Sequence, residues 1–299
     1  MDQTRINRLG MAAMTGATAC FAINDAAMKY LVADMAVSEA VVLRGIIAVV
    51  ASFALLWQAK QLNFLAAIWS RPVLIRALFE GAVVVTYMQA LRLMPLGLAT
   101  AILQATPLMI TAFAAISGKE IVGLARWVAV VVGFLGVLLI VQPDSAGISW
   151  AMALAILTAV FVAIRDLSNR LVPRHVPTFL IVLAASLANI VGCGLYGLAT
   201  NEVWRMPSTL ELALILGAAL FVLVATFLMI LSFRGTEVSA VSPFRYAGVP
   251  VALLIGAIVW GEAPDLLASI GIILVIGSGI FAMRDEALRA RAHQIAALR

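Results

Sequence analysis

The sequence predicts an all-α polytopic membrane protein, with ten transmembrane helices arranged as two inverted five-helix repeats. Three observations predict it. The 299 residues are 64% hydrophobic and only 12% charged, with a mean hydropathy of +1.09. A soluble domain is roughly 45–50% apolar and about 25% charged, so a soluble core is excluded. Residues 94–143 and 236–284 repeat one pattern: an apolar segment holding a proline (Pro107, Pro250), an acidic hinge, then a Gly-rich apolar segment. The Lys and Arg residues collect in alternate gaps between apolar runs.

A helix needs ~20 apolar residues to cross the hydrocarbon core. The first such run is 9–32. Cys20 follows Ala17-Thr18-Ala19, a poor echo of a lipoprotein cleavage box, but the apolar run continues past it and reads as a retained helix. Runs at 39–57 and 73–92 follow, then 96–117 with Pro107 inside it and the Gly-rich 124–141. The second half supplies 147–166, 177–199, 210–233, the proline-bearing 238–260 and the Gly-rich 264–283. The gaps are short, so neighbours form antiparallel hairpins and no soluble domain intervenes. The organisation is a first repeat over 1–143, a second over 144–284, and a basic tail over 285–299.

Charge sets the orientation. With the first end cytoplasmic, the inner gaps hold Arg5, Arg8, Lys60, Arg71, Lys119, Arg126, Arg170, Arg174, Arg234 and the tail arginines. The outer gaps hold Asp34, Asp144, Glu202, Glu262 and Asp265, with Arg92 and Arg205 as basic exceptions. Both termini are therefore expected in the cytoplasm of a cell with an inner membrane. Five helices per unit is odd, so the second unit enters from the opposite side and the repeats are inverted. A second internal match agrees: 21–32 resembles 161–172, with Asp25 and Lys29 one turn apart in the first and Asp166 and Arg170 in the second.

These features resemble the drug/metabolite transporter superfamily, in its ten-helix EamA-type branch. The residues carrying the resemblance are the proline-bearing fourth and ninth segments, the hinges Gly118-Lys119-Glu120 and Gly261-Glu262, and the Gly-rich run from Gly133 through Gly136. It covers nearly the whole chain. The resemblance implies ten helices around a central cavity and no cofactor. It also implies a cargo of amino acids, nucleotide precursors, vitamins, polyamines or other small metabolites, often moved outward.

Intramembrane polar residues are costly, so each has two readings. Glu80 is either a cavity carboxylate for a substrate amine or proton, or the partner of Arg76 one turn back; its depth favours the cavity. Arg245 either holds a substrate carboxylate or phosphate or snorkels to the inner surface. Tyr246, Pro243, Gly248 and Pro250 beside it favour the first, because a loosened helix is tolerated where it lines a cavity. Tyr87 lies near the Glu80 face of its helix, and Gln104 stands one turn before Pro107; either bonds cargo or a neighbouring helix. Asn24 joins the candidate binding residues. Arg44 faces either the cavity or the outer surface, and Asn189 reads as glue between helices. Asp25 with Lys29, and Asp166 with Arg170, are candidate gating pairs near opposite faces. The glycines at 133, 136, 271, 277 and 279 predict close packing within the molecule.

The expected function is secondary transport of small polar metabolites by alternating access, with amino-acid export foremost. Glu80 and Arg245 would offer one group for an amine and one for a carboxylate. The alternatives are uptake of a nucleobase-like, vitamin-like or cationic metabolite, or a non-transporting membrane scaffold. The expected partners are a small-molecule substrate and the lipid bilayer, with no nucleic acid, in a monomer or weak homodimer. The two histidines, His175 and His293, fall in a loop and the tail, and no hydrolase, metalloprotease or P-loop motif occurs. No enzyme, metal or cofactor is expected, and without an ATP site transport is gradient-driven or passive.

Overall fold

The computed structural model describes residues 3–116, 124–142, 149–169, 171–173, 175–232, 236 and 241–297. The hinge Gly118-Lys119-Glu120, Asp144, Arg170, Arg174, Arg234 and Arg299 lie outside these residues. The described residues form helices joined by short connections and no strand. The helices are α1 (Gln3–Asp34), α2 (Val37–Gln58), α3 (Arg71–Leu93), α4 (Leu96–Leu103), α5 (Thr106–Ile116), α6 (Leu124–Val141), α7 (Trp150–Asn169), α8 (Thr178–Ala199), α9 (Thr209–Ser232), α10 (Gly248–Trp260) and α11 (Leu266–Ala297). Two 3-10 helices, Leu62–Trp69 and Ser242–Ala247, complete the set. Six helical segments among the described residues are long and apolar enough to cross a membrane. Three more, within Leu96–Ile110, Trp127–Val141 and Leu266–Ala282, are apolar but shorter.

Local chemistry places the ends. Pro95 and Pro177 stand immediately before α4 and α8, and α3 carries Pro72 in its first turn, where a missing N–H costs nothing. Ser208 and Glu211 form a reciprocal capping box at the start of α9: the Glu211 N–H donates to Ser208 Oγ, and the Ser208 N–H to Glu211 Oε2. Gly261, at φ 67°, ends α10; its N–H reaches Ala257 O and that of Glu262 reaches Gly256 O. Asp265 Oδ1 accepts the Ala268 N–H at 2.7 Å, and both carboxylate oxygens accept from the Gln142 amide at 2.9 Å. These donors hold its carboxyl below the usual carboxylate range.

The segments expected as single spans over 96–117 and 238–260 are each interrupted. Pro107 has no N–H to give Leu103 O, so α4 stops there and Thr106 Oγ takes that carbonyl at 2.5 Å. Pro250 likewise leaves Tyr246 O without its helical donor, and the stretch before it is 3-10 helix.

The chain divides into two compact units, and each draws on both halves of the sequence. One comprises 24–94 and 150–223; the other comprises 1–23, 95–149 and 224–299. In the first, α2 packs along α8, and α3 packs along α7 and α8. Glycines permit the approach: a Cβ on Gly81 would lie 3.0 Å from Ala188 O, and one on Gly45 2.6 Å from Ile190 Cγ1. Leu56, Val73, Leu180 and Leu183 form an apolar core covered by the first 3-10 helix. In the second unit α6 packs along α11 and α4 along α10, and Gly10 and Gly16 of α1 lie against the end of α9. Gly136 and Gly271 meet backbone to backbone: a Cβ on Gly271 would stand 2.5 Å from Gly136 O, and one on Gly136 2.8 Å from Gly271 O. The close packing expected of the glycines is present at Gly133, Gly136, Gly271 and Gly279, but not at Gly277, where a Cβ would meet none of the described residues within 4 Å.

Candidate functional site

In the unit containing α3 and α7, four charged side chains meet. Arg76 and Glu80 are one turn apart on α3, with Nη2 3.4 Å from Oε2. From α7, Arg165 reaches Glu80 Oε1 at 3.5 Å and Asp166 Oδ1 at 2.8 Å. Two guanidinium groups and two carboxylates sum to zero charge, the least costly way to keep ions inside a membrane. The cluster is only partly closed, with side chains 17–27% exposed. It is also under-satisfied: Arg76 Nε and Glu80 Oε2 are buried with no hydrogen-bond partner of standard geometry among the described residues. The contact at 3.4 Å is an ion pair and not a good hydrogen bond. A ring pair stands next to it, Phe79 beside Glu80 and Phe161 one turn before Arg165, with centroids 6.1 Å apart.

A second polar group lies in the same unit, formed where α1, α2 and α3 converge. Asp25 Oδ2 accepts the Tyr87 hydroxyl at 2.9 Å, and Oδ1 accepts the Asn24 amide at 2.9 Å. Arg44 Nη1 donates to Asn24 Oδ1 at 3.0 Å, and both Asn24 and Arg44 are buried. One turn on, Lys29 Nζ donates to Met94 O at 3.0 Å. Glu80 and Tyr87 are seven residues apart on α3, about 10 Å along its axis, so one helix face carries both groups. Thr158 of α7 bonds Thr86 of α3 at 2.8 Å at an intervening level.

The other unit holds the remaining candidates. Gln104 Nε2 donates to Arg245 O at 2.9 Å, tying the break after α4 to the 3-10 turn before α10. Tyr246 is buried against Gly279, and its hydroxyl has no hydrogen-bond partner among the described residues. Glu262 Oε2 accepts the Leu96 N–H at the open end of α4.

The predicted residues thus fall into separate groups. Glu80, Tyr87, Asn24, Asp25, Lys29 and Asp166 belong to one compact unit; Gln104, Arg245 and Tyr246 belong to the other. Asn189 Oδ1 is buried without a hydrogen-bond partner among the described residues. Sequence reasoning passed over Arg165, which makes the cross-helix link. Its signal was available: it immediately precedes Asp166, and a second charge at that depth calls for a partner. No group of three or more potential metal ligands occurs among the described residues.

Residues 8–142 match the EamA-like transporter family. The chain is 31% identical over 223 residues to the riboflavin transporter of Rhizobium johnstonii, covering 73% of this chain and 72% of that one. It is 26% identical to the S-adenosylmethionine uptake transporter of Rickettsia bellii, covering 70% of each. It is 27% identical to the pseudopaline exporter of Pseudomonas aeruginosa, covering 89% of this chain and 93% of that one. A solved crystal structure matches the fold with a TM-score of 0.61 at 20% identity, over 91% of this chain and 96% of that one.

Proposed function

Because the chain belongs to the EamA-like transporter family, we propose that this multi-pass membrane transporter moves small polar metabolites carrying both charge signs, those with an amino-acid headgroup foremost. The observation that carries the reading is the net-neutral, partly open cluster of Arg76, Glu80, Arg165 and Asp166. A cargo carboxylate can replace Glu80 on a guanidinium while a cargo ammonium takes the carboxylate released, so the charge count is unchanged throughout. The sequence-based pairing of Glu80 with Arg245 is replaced here by Glu80 with Arg76 and Arg165, which are in contact. S-adenosylmethionine, named for several relatives, carries such a headgroup.

Alternating access by two inverted five-helix repeats supplies the motion. Its support is that repeat elements pack on their counterparts: α2 on α8, α4 on α10, and α6 on α11. The contact of α3 with α7 is matched by that of α1 with α9. The charge bias supports cytoplasmic termini in an inner membrane.

A riboflavin-like cargo is the second reading. It is favoured by the 31% identical relative and by the aromatic pair Phe79–Phe161 beside the charges. Counterflow into proteoliposomes decides between them, using labelled amino acids, S-adenosylmethionine, riboflavin and nucleosides. The first reading expects exchange of amino-acid-bearing solutes that Glu80→Gln reduces at least ten-fold in the folded protein. Exchange of riboflavin alone, unaffected by Glu80→Gln, establishes the second. Exchange of none of them refutes both.

A further inference from the structure

A shallow groove of about 470 Å³ lies at the end of α2, outside both polar clusters, lined by Trp57, Gln58, Lys60, Leu62 and Asn63. We propose that this groove is a specific site for an anionic phospholipid of the adjoining leaflet, with the headgroup phosphate on Lys60 and one acyl chain along α2.

The exposed face of α2 supplies the tail half of the site. Ile46, Val50, Phe53 and Trp57 are its large exposed apolar residues, spaced by four, three and four. That spacing makes one continuous stripe on a helix, about 16 Å long from Ile46 to Trp57. Half of a ~30 Å hydrocarbon core is ~15 Å, so the stripe matches one acyl layer and ends where headgroups begin. Trp57, the most exposed of the four, stands at that boundary, the usual depth for an indole.

The polar half follows directly. α2 closes with Ala59 N–H to Leu55 O and Gln61 N–H to Leu56 O, which puts Lys60 at the left-handed position after the helix, φ 55°. Glycine is the usual occupant there, and a side chain costs about 1 kcal/mol. The lysine side chain is exposed, with no acidic partner among the described residues. The 3-10 helix forms the other wall. Its three-residue period turns Leu62, Leu65 and Ile68 towards the protein and exposes Asn63, Ala66 and Trp69. The groove therefore combines walls of helix and 3-10 helix, one cation without an acidic partner among the described residues, two amides and an apolar ramp leading into it. Soluble phosphate would use the lysine but leave the stripe unused; a phospholipid uses both.

The test is quenching of Trp57 by brominated lipids in vesicles holding the full chain. The Trp57 contribution is isolated by subtracting Trp57→Phe. Brominated phosphatidylglycerol is expected to quench it at about five-fold lower mole fraction than brominated phosphatidylcholine, the value of one lysine at an anionic surface. Lys60→Gln, exposed and outside both polar clusters, is expected to fold normally and abolish the preference. Millimolar inorganic phosphate should leave it in place. Equal quenching by the two lipids overturns the proposal, as does a preference that survives Lys60→Gln or is lost to soluble phosphate. So does Trp57 shielded from both lipids, which would mean that a second copy covers the groove.

Discussion

Arg165→Gln tests whether charge balance holds α3 and α7 together. Arg165 lies 3.5 Å from Glu80 and 2.8 Å from Asp166. At an effective dielectric near 20, each contact is worth about 5 kcal/mol of gross Coulomb energy, most of it offset by desolvation. Removing one partner of a buried pair costs ~3–5 kcal/mol, because the remaining ion is left uncompensated. These groups are about one-fifth exposed, so a net loss of ~2–3 kcal/mol is expected. The single variant leaves two carboxylates facing Arg76 alone. Adding Glu80→Gln leaves Arg76 with Asp166, one charge of each sign, and should restore ~1–2 kcal/mol although a second contact has gone. Thermal unfolding in detergent, followed by a thiol-reactive dye, reads this, because Cys193 is buried and Cys20 partly so. The apparent Tm should fall by about 5 °C or more in Arg165→Gln and recover by several degrees in the double variant. Additive losses would refute the argument from charge balance.

Three other expectations concern separate parts of the molecule. Gly271→Val should prevent stable packing of α6 with α11, its Cβ meeting Gly136 O at 2.5 Å, while Gly277→Ala, with nothing within 4 Å, should unfold at the wild-type temperature. The Asp265 clip contributes stability above the ordinary carboxylate pKa, and loses it as pH falls through the lower folded value, so hydrogen exchange at Ala268 should accelerate only in strong acid. Asp265→Asn should show that faster exchange already at neutral pH. Reporter fusions after Gln61 and Arg174 should report the cytoplasm and those after Gln142 and Asp265 the outside; an external signal at Arg174 would break the five-plus-five scheme.

The helices were legible because crossing a membrane demands a long apolar run, a property of contiguous residues. The prolines at 107 and 250 were legible too, and so was the loosened helix around Pro250; which groups take up the freed carbonyls was not. Only the structure shows that Thr106 takes over the freed carbonyl of Leu103, and that Gln104 ties this break to Arg245 O. The i, i+4 pair Arg76–Glu80 could be read from spacing; its link to Arg165, 85 residues away, could not. Glu262 was read as a loop charge that helps set orientation, and it also bonds the Leu96 N–H. Glu202, read the same way, accepts the Ser38 N–H at 2.9 Å at the start of α2. A charge count records such residues and leaves out what they touch. The 3-10 helix at 62–69 escaped because its three-residue period matches neither the helical nor the strand pattern.

The interleaving of the two compact units has a consequence for synthesis. α6 finds its partner α11 only after the ribosome has added 135 residues beyond Gly136, up to Gly271. At 5–20 residues per second that interval is roughly 7–27 s. During it α6 stands without its partner, its Gly136 face turned to lipid or to the insertion machinery. α2 waits in the same way for α8, and α4 for α10. Neither half of the chain can therefore finish a unit alone, and a nascent chain stalled near residue 150 would present unmated helices to the proteases that survey the membrane. The two halves made as separate chains should each be short-lived, and should rescue one another when made together.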